Sequence, residues 1–269
     1  MEILGYQFFQ NALIGSLLAC LACAIAGTYA VTRRLLFISG GISHASFGGV
    51  GLGMFLGINP TLPAFIFAIL SALGVQRLGR SKEIREDSAI AVFWVLGMAL
   101  GVIFCFLTPN YSGELSTYLF GNILAIDNSD IILLACISLA LILFTLIFFR
   151  TILLVAFDPE YAISRNIPAH LFECIMMIFI AITIVATLRL VGIILVISML
   201  TIPQMTAMIF TKSYKNTIIL SAIFGYFACI VGLYISYIID IPSGASIIIC
   251  SISIYLLCMI ARVGKRGLR

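Results

Sequence analysis

The sequence predicts an all-α, polytopic integral membrane protein with eight or nine transmembrane helices. Hydrophobic residues make up 62% of the 269 residues and charged residues only 10%, whereas about a quarter of the residues in soluble domains are charged. Long charge-free runs recur along the chain, and about 20 apolar residues are enough to cross a bilayer once. This composition predicts that the lipid bilayer surrounds the chain. The loops account for the net charge of +4, so we expect no nucleic-acid partner.

The predicted helices follow the charge-free runs. The run 35–76 is long enough for two crossings, and Asn59, Pro60 and Pro63 supply the turn between them. We treat the whole chain, 1–269, as a single transmembrane domain. The nine predicted segments are 9–31, 38–57, 62–77, 88–108, 130–149, 170–187, 190–210, 217–239 and 243–261.

The basic residues predict the orientation. If nine helices cross the bilayer in alternating directions, all of the 15 basic residues except Arg189 fall on one side of the membrane. Since cytoplasmic loops carry an excess of Lys and Arg, the side with the remaining basic residues is cytoplasmic. The N-terminus is then outside and the C-terminus inside.

The second predicted helix combines glycine with a histidine. Small residues recur every fourth position from Gly41 to Gly57, and His44 lies among them beside Ser43. Such a stripe lets another helix approach closely, and ionisable residues at membrane depth mark paths for polar solutes. We therefore expect this helix to line a translocation path or the seam between two copies.

The segment Phe157–His170 predicts a short amphipathic helix at the cytoplasmic surface. Asp158 is the expected N-cap, with proline next and Glu160 in the first turn. Asn166 is expected to stop the helix in the left-handed conformation, and Pro168 prevents its continuation. Two interpretations are open, a connector lying on the surface and a docking site for a cytosolic partner.

The external segment 110–130 is too polar at its ends to span the bilayer and too apolar in its middle for a simple loop. We predict a short interfacial helix around Ser116–Leu124. The acids Glu114, Asp127 and Asp130 face outside, where they attract cations, meet a partner or are merely solvated.

Three further features belong to the second half of the chain. Pro203 lies within a predicted helix and predicts a kink there. Together with Gly192 it is a candidate gate or hinge. Three roles are open for Arg189, the lone external base: an ion pair with Asp240, contact with acids of a partner, or a position that caps the membrane interface.

Five segments of the chain resemble, in order, motifs of the membrane-spanning permease subunit of zinc/manganese-type ATP-binding-cassette importers. ISGGISHASFGGVGLG is similar to that family's SDAISHA-type segment, and FDPEYAISRNIP to its cytoplasmic coupling helix. The other three segments are STYLFGNIL, RLVGIILVISMLTIPQMTA and ISYIIDIPSGASI.

The resemblance implies a complete transport machine. Two permease copies form a homodimer in the bacterial cytoplasmic membrane, each docks a cytosolic ATPase subunit, and an external solute-binding protein delivers a zinc- or manganese-class ion. No cofactor is bound permanently. The chain lacks a GxxxxGK[ST] phosphate loop, so we expect no enzyme activity in this subunit. The residues that the resemblance assigns to ATPase coupling are Asp158, Glu160, Tyr161, Ala162, Asn166 and Pro168.

The metal-path segment departs from the family at one position. Gly40 stands where the family has an aspartate, four residues before His44. Without that carboxylate, three interpretations of His44 stay open: two copies share one ion, water does most of the solvation, or the histidine only packs between helices. The departure also keeps open an alternative function, in which the chain is a permease for an iron chelate or a small organic solute.

A membrane-embedded hydrolase is the interpretation from another class. Ser43 and His44 are adjacent, but neighbouring residues on a helix do not face each other. No second histidine and no acid lie at membrane depth, which argues against it.

Overall fold

The computed structural model describes residues 7–79, 85–108, 121, 123 and 126–267, with the backbone alone at 36, 86, 189–190 and 263–267. Within these ranges the chain forms eleven α-helices and no strand, which confirms the all-α class. In chain order they are α1 Gln7–Thr32, α2 Leu36–Leu56, α3 Thr61–Gly79, α4 Glu86–Leu107, α5 Asn128–Ile147, α6 Phe149–Phe157, α7 Pro159–Ser164, α8 Ala169–Met199, α9 Ile202–Phe210, α10 Tyr214–Ile239 and α11 Ser243–Gly267.

Eight stretches within the described part of the chain are long and apolar enough to cross a bilayer, and each matches a predicted segment. The ninth predicted segment corresponds to α2, which has 21 residues. Its glycines, its serines and His44 lower its mean hydropathy. Since α2 packs along α3 and α4, protein rather than lipid covers much of it, and it needs fewer apolar side chains.

The structure places the helix boundaries differently from the prediction in two regions of the chain. The segment 130–149 ends at Ile147, and a separate helix, α6, follows before α7. The segments 170–187 and 190–210 are joined through α8, which has non-helical backbone at Gly192. The second of them breaks again after Met199, and α9 begins at Ile202. A single arginine, Arg150 or Arg189, stands near the boundary in both regions, but the helical backbone continues through it.

Helix α1 forms the centre of the bundle. Within its most apolar 18-residue window 72% of the residues are buried, against 22% for α4 and for α11. It contacts α5, α8 and α10, and small residues such as Ala12, Ala22 and Ala26 are fully buried along it. The apolar helices around it present their other faces outwards, as expected for surroundings of lipid.

Contacts of the loops define one end of the bundle. Asn11 Nδ2 donates to the Ile126 carbonyl oxygen at 3.3 Å. Gly121 packs against the backbone of Val191 and Gly192. The start of α1, the start of α5 and the break in α8 therefore lie together, and we call this the Asn11 end.

The opposite end is fixed by charged and aromatic contacts. Arg33, just after α1, forms an ion pair with Glu173 near the start of α8, with 2.7 Å between nitrogen and oxygen. The ring of Tyr214 at the start of α10 meets Phe149 of α6 edge-on, with centroids 6.0 Å apart. We call this the Arg33 end; α7 lies here, between α6 and α8.

Candidate functional site

Backbone contact between α2 and α4 sets the position of the candidate metal-path residues. A Cβ built on Gly51 would lie 2.6 Å from the Gly101 carbonyl oxygen, and one on Gly97 would lie 2.6 Å from that of Ala45. These distances are too short for side chains, so only small residues allow this approach.

The same glycine-rich helix also contacts α3. A Cβ on Gly49 would lie 2.5 Å from the carbonyl carbon of Pro63, and one on Gly53 would lie 2.6 Å from Cα of Pro60. The small-residue stripe is thus occupied by neighbouring helices of the same chain. The prediction that the stripe lets another helix approach closely is confirmed, because α3 and α4 pack onto it. That α2 also lines a translocation path or a seam between copies stays a prediction.

His44 stacks on the single tryptophan of the chain. Its ring lies parallel to that of Trp94 on α4, with centroids 4.4 Å apart and 9° between the planes. The imidazole is half-buried, and its Nδ1 is buried without a hydrogen-bond partner among the described residues. The indole fixes the ring orientation, and this nitrogen is a potential ligand atom without a protein partner in the described part of the chain. Sequence reasoning missed Trp94, although a lone tryptophan in an apolar helix was a visible signal.

Gly40 lies one helical turn before His44 and faces the same neighbour. A Cβ at Gly40 would be 3.6 Å from Cζ3 of Trp94 and 3.7 Å from Cδ1 of Ile197, which are ordinary van der Waals distances. Ser43 is fully buried and donates its hydroxyl to the Ser39 carbonyl oxygen at 2.6 Å. The structure thus brings Gly40 and His44 together and turns Ser43 to its own helix backbone.

The described ranges contain no group of three or more His, Cys, Asp or Glu side chains that would hold a metal ion. A single imidazole supplies one ligand, while zinc sites use three or four protein ligands. The arrangement around His44 suits brief contact with a passing ion better than tight storage.

Helix α7 has a defined beginning and end. Asp158 Oδ1 accepts a hydrogen bond from the Tyr161 backbone N–H at 2.9 Å, and proline follows Asp158 as the first helical residue. At the other end Asn166 has a φ of 56°, and the N–H of Ile167 donates to the Ala162 carbonyl oxygen at 3.0 Å. This is a Schellman-type helix end with asparagine in the usual glycine position, and it agrees with the sequence-based expectation for this segment.

The surface around α7 is apolar and exposed on one side. Phe157, Tyr161 and Ile163 are 63%, 50% and 47% exposed, while Ala162 is fully buried against the bundle. Glu160 and Pro168 are exposed. Exposed aromatic and aliphatic side chains grouped in this way are typical of protein contact surfaces.

Arg33 connects this region to the bundle. Besides its ion pair with Glu173, its Nη1 donates to the Val155 carbonyl oxygen of α6 at 3.4 Å. The side chains of Arg33 and Glu173 are only 24% and 13% exposed, respectively. One guanidinium therefore ties the end of α1 to the helices on both sides of α7. The sequence around Arg33 predicts a cytoplasmic position but no ion pair, because no local pattern indicates a partner 140 residues away.

Two glycines with positive φ meet at the Asn11 end. Gly192 has φ 73° and ψ 167°, a combination that essentially only glycine adopts. Gly121, with φ 68°, lies so close to Val191 and Gly192 that a Cβ would overlap their backbone. Gly121, in the segment that is predicted to be external, thus contacts the break in α8 directly.

The second break in this region carries a buried amide. Pro203 is the second residue of α9, and the carbonyl groups freed by the break need other partners. Gln204 is fully buried; its Nε2 donates to the Met199 carbonyl oxygen at 3.1 Å and to that of Cys23 on α1 at 2.8 Å. The predicted kink at Pro203 is confirmed as an interruption between helices. Gln204 was missed, although a glutamine beside a proline in an apolar span was its signal.

The predicted external residues are only partly described. Asp127 precedes α5, and its N–H donates to Asp130 Oδ2 at 3.4 Å. Asp240 ends α10 with a φ of 56°. Glu114 and the side chain of Arg189 lie outside the described residues. So does the interfacial helix predicted around 116–124, except for Gly121 and Ile123.

Comparison with known proteins places this architecture in a family. The model of the ABC 3 transport family matches residues 5–262. The chain belongs to the ABC 3 transport family. Its helical bundle superposes on PsaBC from Streptococcus pneumoniae, solved in complex with Fab, with a TM-score of 0.86 and 30% identity over 96% of this chain and 92% of that one.

Two sequence relatives cover this ABC 3 family member almost entirely. The uncharacterized membrane protein slr2045 of Synechocystis is 36% identical over 262 residues, 97% of this chain and 93% of the relative. The manganese transport system membrane protein MntC of Halalkalibacterium halodurans is 31% identical over 256 residues, 95% of this chain and 88% of the relative.

Proposed function

We propose that this chain is the permease subunit of an ATP-driven importer that carries a divalent metal ion, manganese or zinc, across a bacterial cytoplasmic membrane. The observation that carries the proposal is the end-to-end similarity to a manganese transport system membrane protein, together with the superposition on PsaBC. The metal is cargo, so we propose no resident cofactor.

The charge distribution supports an orientation with the Arg33 end in the cytoplasm. Arg33, Arg34, Lys212 and Lys215 lie at helix ends on that side, in line with the positive-inside rule. The N-terminus is then external, and the Asn11 end faces the solute-binding protein that delivers the ion. The acids Asp127 and Asp240 lie on the delivery side.

The ATPase subunit docks on α7. The exposed side chains of Phe157, Tyr161 and Ile163 supply apolar contact, and Asp158 and Glu160 supply negative charge. The chain itself hydrolyses no ATP. Movement of α7 reaches the bundle through Arg33, which joins α6 to α1 and α8.

His44 contacts the ion during its passage. Nδ1 has no protein partner within the described chain, and Trp94 holds the ring in one orientation. Two permease copies in a homodimer provide two such imidazoles, and water completes the coordination. Weak coordination suits transport, because an ion held by many ligands would leave slowly.

An alternative is a permease of the same class for an iron chelate or a small organic solute. Gly40 favours it, because the face that carries His44 has no carboxylate among the described residues. Such a cargo brings its own ligands and needs none from the helix.

Uptake in cells distinguishes the two cargoes. A deletion strain complemented with this chain is expected to regain accumulation of radioactive manganese, with excess zinc or manganese competing and an iron chelate not competing. Recovery of iron-chelate accumulation instead, measured in the same strain, would favour the alternative. Recovery of neither manganese nor iron-chelate accumulation would contradict both the metal importer and the iron-chelate permease.

A further inference from the structure

An apolar groove opens on the side of the bundle, and its lining includes neither His44 nor a residue of α7. Its volume is about 680 Å³, and its walls come from α1, α5, α6 and α10. Large apolar side chains at its edge are strongly exposed, with Leu146 at 70% and Ile223 at 57%. In a helix bundle of this hydrophobicity such an opening faces the acyl chains of the bilayer.

The length of the groove matches one leaflet. Along α10 its lining runs from Lys215 to Tyr226. At a rise of about 1.5 Å per residue these eleven steps cover roughly 16 Å, and half of the hydrocarbon core is about 15 Å thick. Lys215 is the second residue of α10, so the groove runs from the Arg33 end to the middle of the membrane.

Two polar groups lie in the mouth of this otherwise apolar groove. Thr145 is only 6% exposed, and its Oγ1 has no hydrogen-bond partner among the described residues. Buried hydroxyls are normally satisfied, so this one indicates a missing acceptor or donor. Lys215, an exposed residue, lines the same groove and has no ion pair within the described chain.

Both groups lie at the same end of the bundle. Thr145 is two residues before the end of α5 and Lys215 is one residue after Tyr214, whose ring contacts Phe149 at 6.0 Å. A phospholipid has its groups in the matching order, with phosphate outermost, ester carbonyls next and acyl chains deepest. Lysine near a membrane surface attracts anionic lipid.

We propose that this groove is a binding site for an anionic phospholipid of the leaflet at the Arg33 end. Lys215 holds the phosphate, Thr145 donates its hydroxyl to an ester carbonyl, and one acyl chain fills the groove between α5 and α10. A second copy of the chain is the other possible cover, but it would leave the lysine facing apolar surface. The proposal does not depend on which solute the chain transports.

The test measures phospholipid retained by the purified full-length chain. The chain is incorporated into nanodiscs of equal parts phosphatidylglycerol and phosphatidylcholine, released in the mass spectrometer, and scored for bound lipid of each kind. We expect wild-type protein to retain phosphatidylglycerol in preference. Lys215→Gln is expected to reduce that preference about fivefold, whereas Lys212→Gln, at a cation outside the groove lining, leaves it unchanged.

Two further variants test the groove itself. Ala222→Phe fills the groove and is expected to abolish lipid retention, while Ala140→Phe, at an exposed alanine of α5 outside the lining, keeps it. Thr145→Val has nearly the shape of threonine without its hydroxyl and is expected to weaken retention. If Ala222→Phe fails to yield monodisperse protein, Thr145→Val and Lys215→Gln still decide the matter.

Three outcomes would overturn the site. The first is equal retention by Ala222→Phe and Ala140→Phe, and the second is a phosphatidylglycerol preference that Lys215→Gln does not change. The third is disulfide cross-linking of two copies through Ile223→Cys in membranes, above the level given by the native cysteines, because a groove sealed by a second copy holds no lipid.

Discussion

At the scale of single residues the candidate site depends on a stacked pair. Trp94 covers one face of the His44 imidazole and leaves Nδ1 unpartnered. The histidine was evident from sequence, because it stands alone among apolar and small residues. Its partner was not, because periodicity within one helix says nothing about which residue of α4 lies opposite.

Replacement of His44 tests its role in transport. We expect His44→Ala to lower manganese uptake about tenfold or more, since loss of a group that contacts or orients a metal costs this much in other sites. Trp94→Phe is the matched control, because it keeps an aromatic ring over the imidazole and is expected to retain most uptake. Equal amounts of each variant in the membrane are confirmed by blotting. Unchanged uptake in His44→Ala would exclude the ligand role.

The glycines of α2 and α4 are not equivalent, and stability measurements are expected to separate them. Gly40→Ala meets only ordinary contacts and gains helix propensity of about 1 kcal/mol, so its thermal unfolding in detergent is expected at or above the wild-type temperature. Gly51→Ala places a methyl group 2.6 Å from the Gly101 carbonyl oxygen and is expected to destabilise the chain by about 1–3 kcal/mol. Equal unfolding temperatures for the two variants would contradict this packing.

At the scale of helices the structure shows which boundaries sequence can supply. Charges and turn residues marked the ends of most spans, and the caps of α7 followed from Asp158 and Asn166. The division between α5 and α6 had no turn residue to mark it, and Gly192 at the break in α8 was predicted only as a candidate gate or hinge. The break became interpretable only when Gly121, 71 residues earlier in the sequence, was found beside Gly192.

The contact between Gly121 and α8 is expected to be essential for folding and transport. Gly121→Ala adds a methyl group to a residue with positive φ, which costs roughly 1–2 kcal/mol, and this methyl would also overlap the Val191–Gly192 backbone. Gly57→Ala is the matched control, because Gly57 has a φ of 66° with no atom near its missing Cβ. We expect Gly121→Ala to lower the unfolding temperature and manganese uptake clearly more than Gly57→Ala. Equal losses would show that the two segments do not need close contact.

At the scale of the whole molecule the membrane-spanning segments and the class of the protein were predictable, because composition and the positions of basic residues reflect the bilayer directly. The order of the helices in space was not, since it depends on contacts between distant segments. The ion pair of Arg33 with Glu173 and the hydrogen bonds of Gln204 to two helices are examples. Each gives a partner to a polar group at membrane depth or at its edge, where an unpaired group is costly, although Arg33 Nε and Gln204 Oε1 have no hydrogen-bond partner among the described residues.

These long-range contacts connect the two functional ends. Arg33 ties α6, α1 and α8 together beside α7, and Gln204 ties α9 to α1 within the bundle. Since α1 is the most buried span, a displacement of α7 is expected to reach the centre of the molecule rather than remain local. This is the physical basis for proposing that ATP hydrolysis in a partner subunit drives the permease.

The most direct test is ATP-driven metal import by the importer reconstituted in proteoliposomes. Wild-type permease with its ATPase and binding protein is expected to accumulate manganese only when ATP is present on the ATPase side. The double variant Asp158→Lys/Glu160→Lys is expected to bind manganese-loaded binding protein normally but to accumulate no manganese, because its α7 no longer engages the ATPase. If the wild-type importer accumulates no divalent metal, the proposed function is contradicted. If the double variant accumulates manganese fully, the proposed coupling through α7 is contradicted.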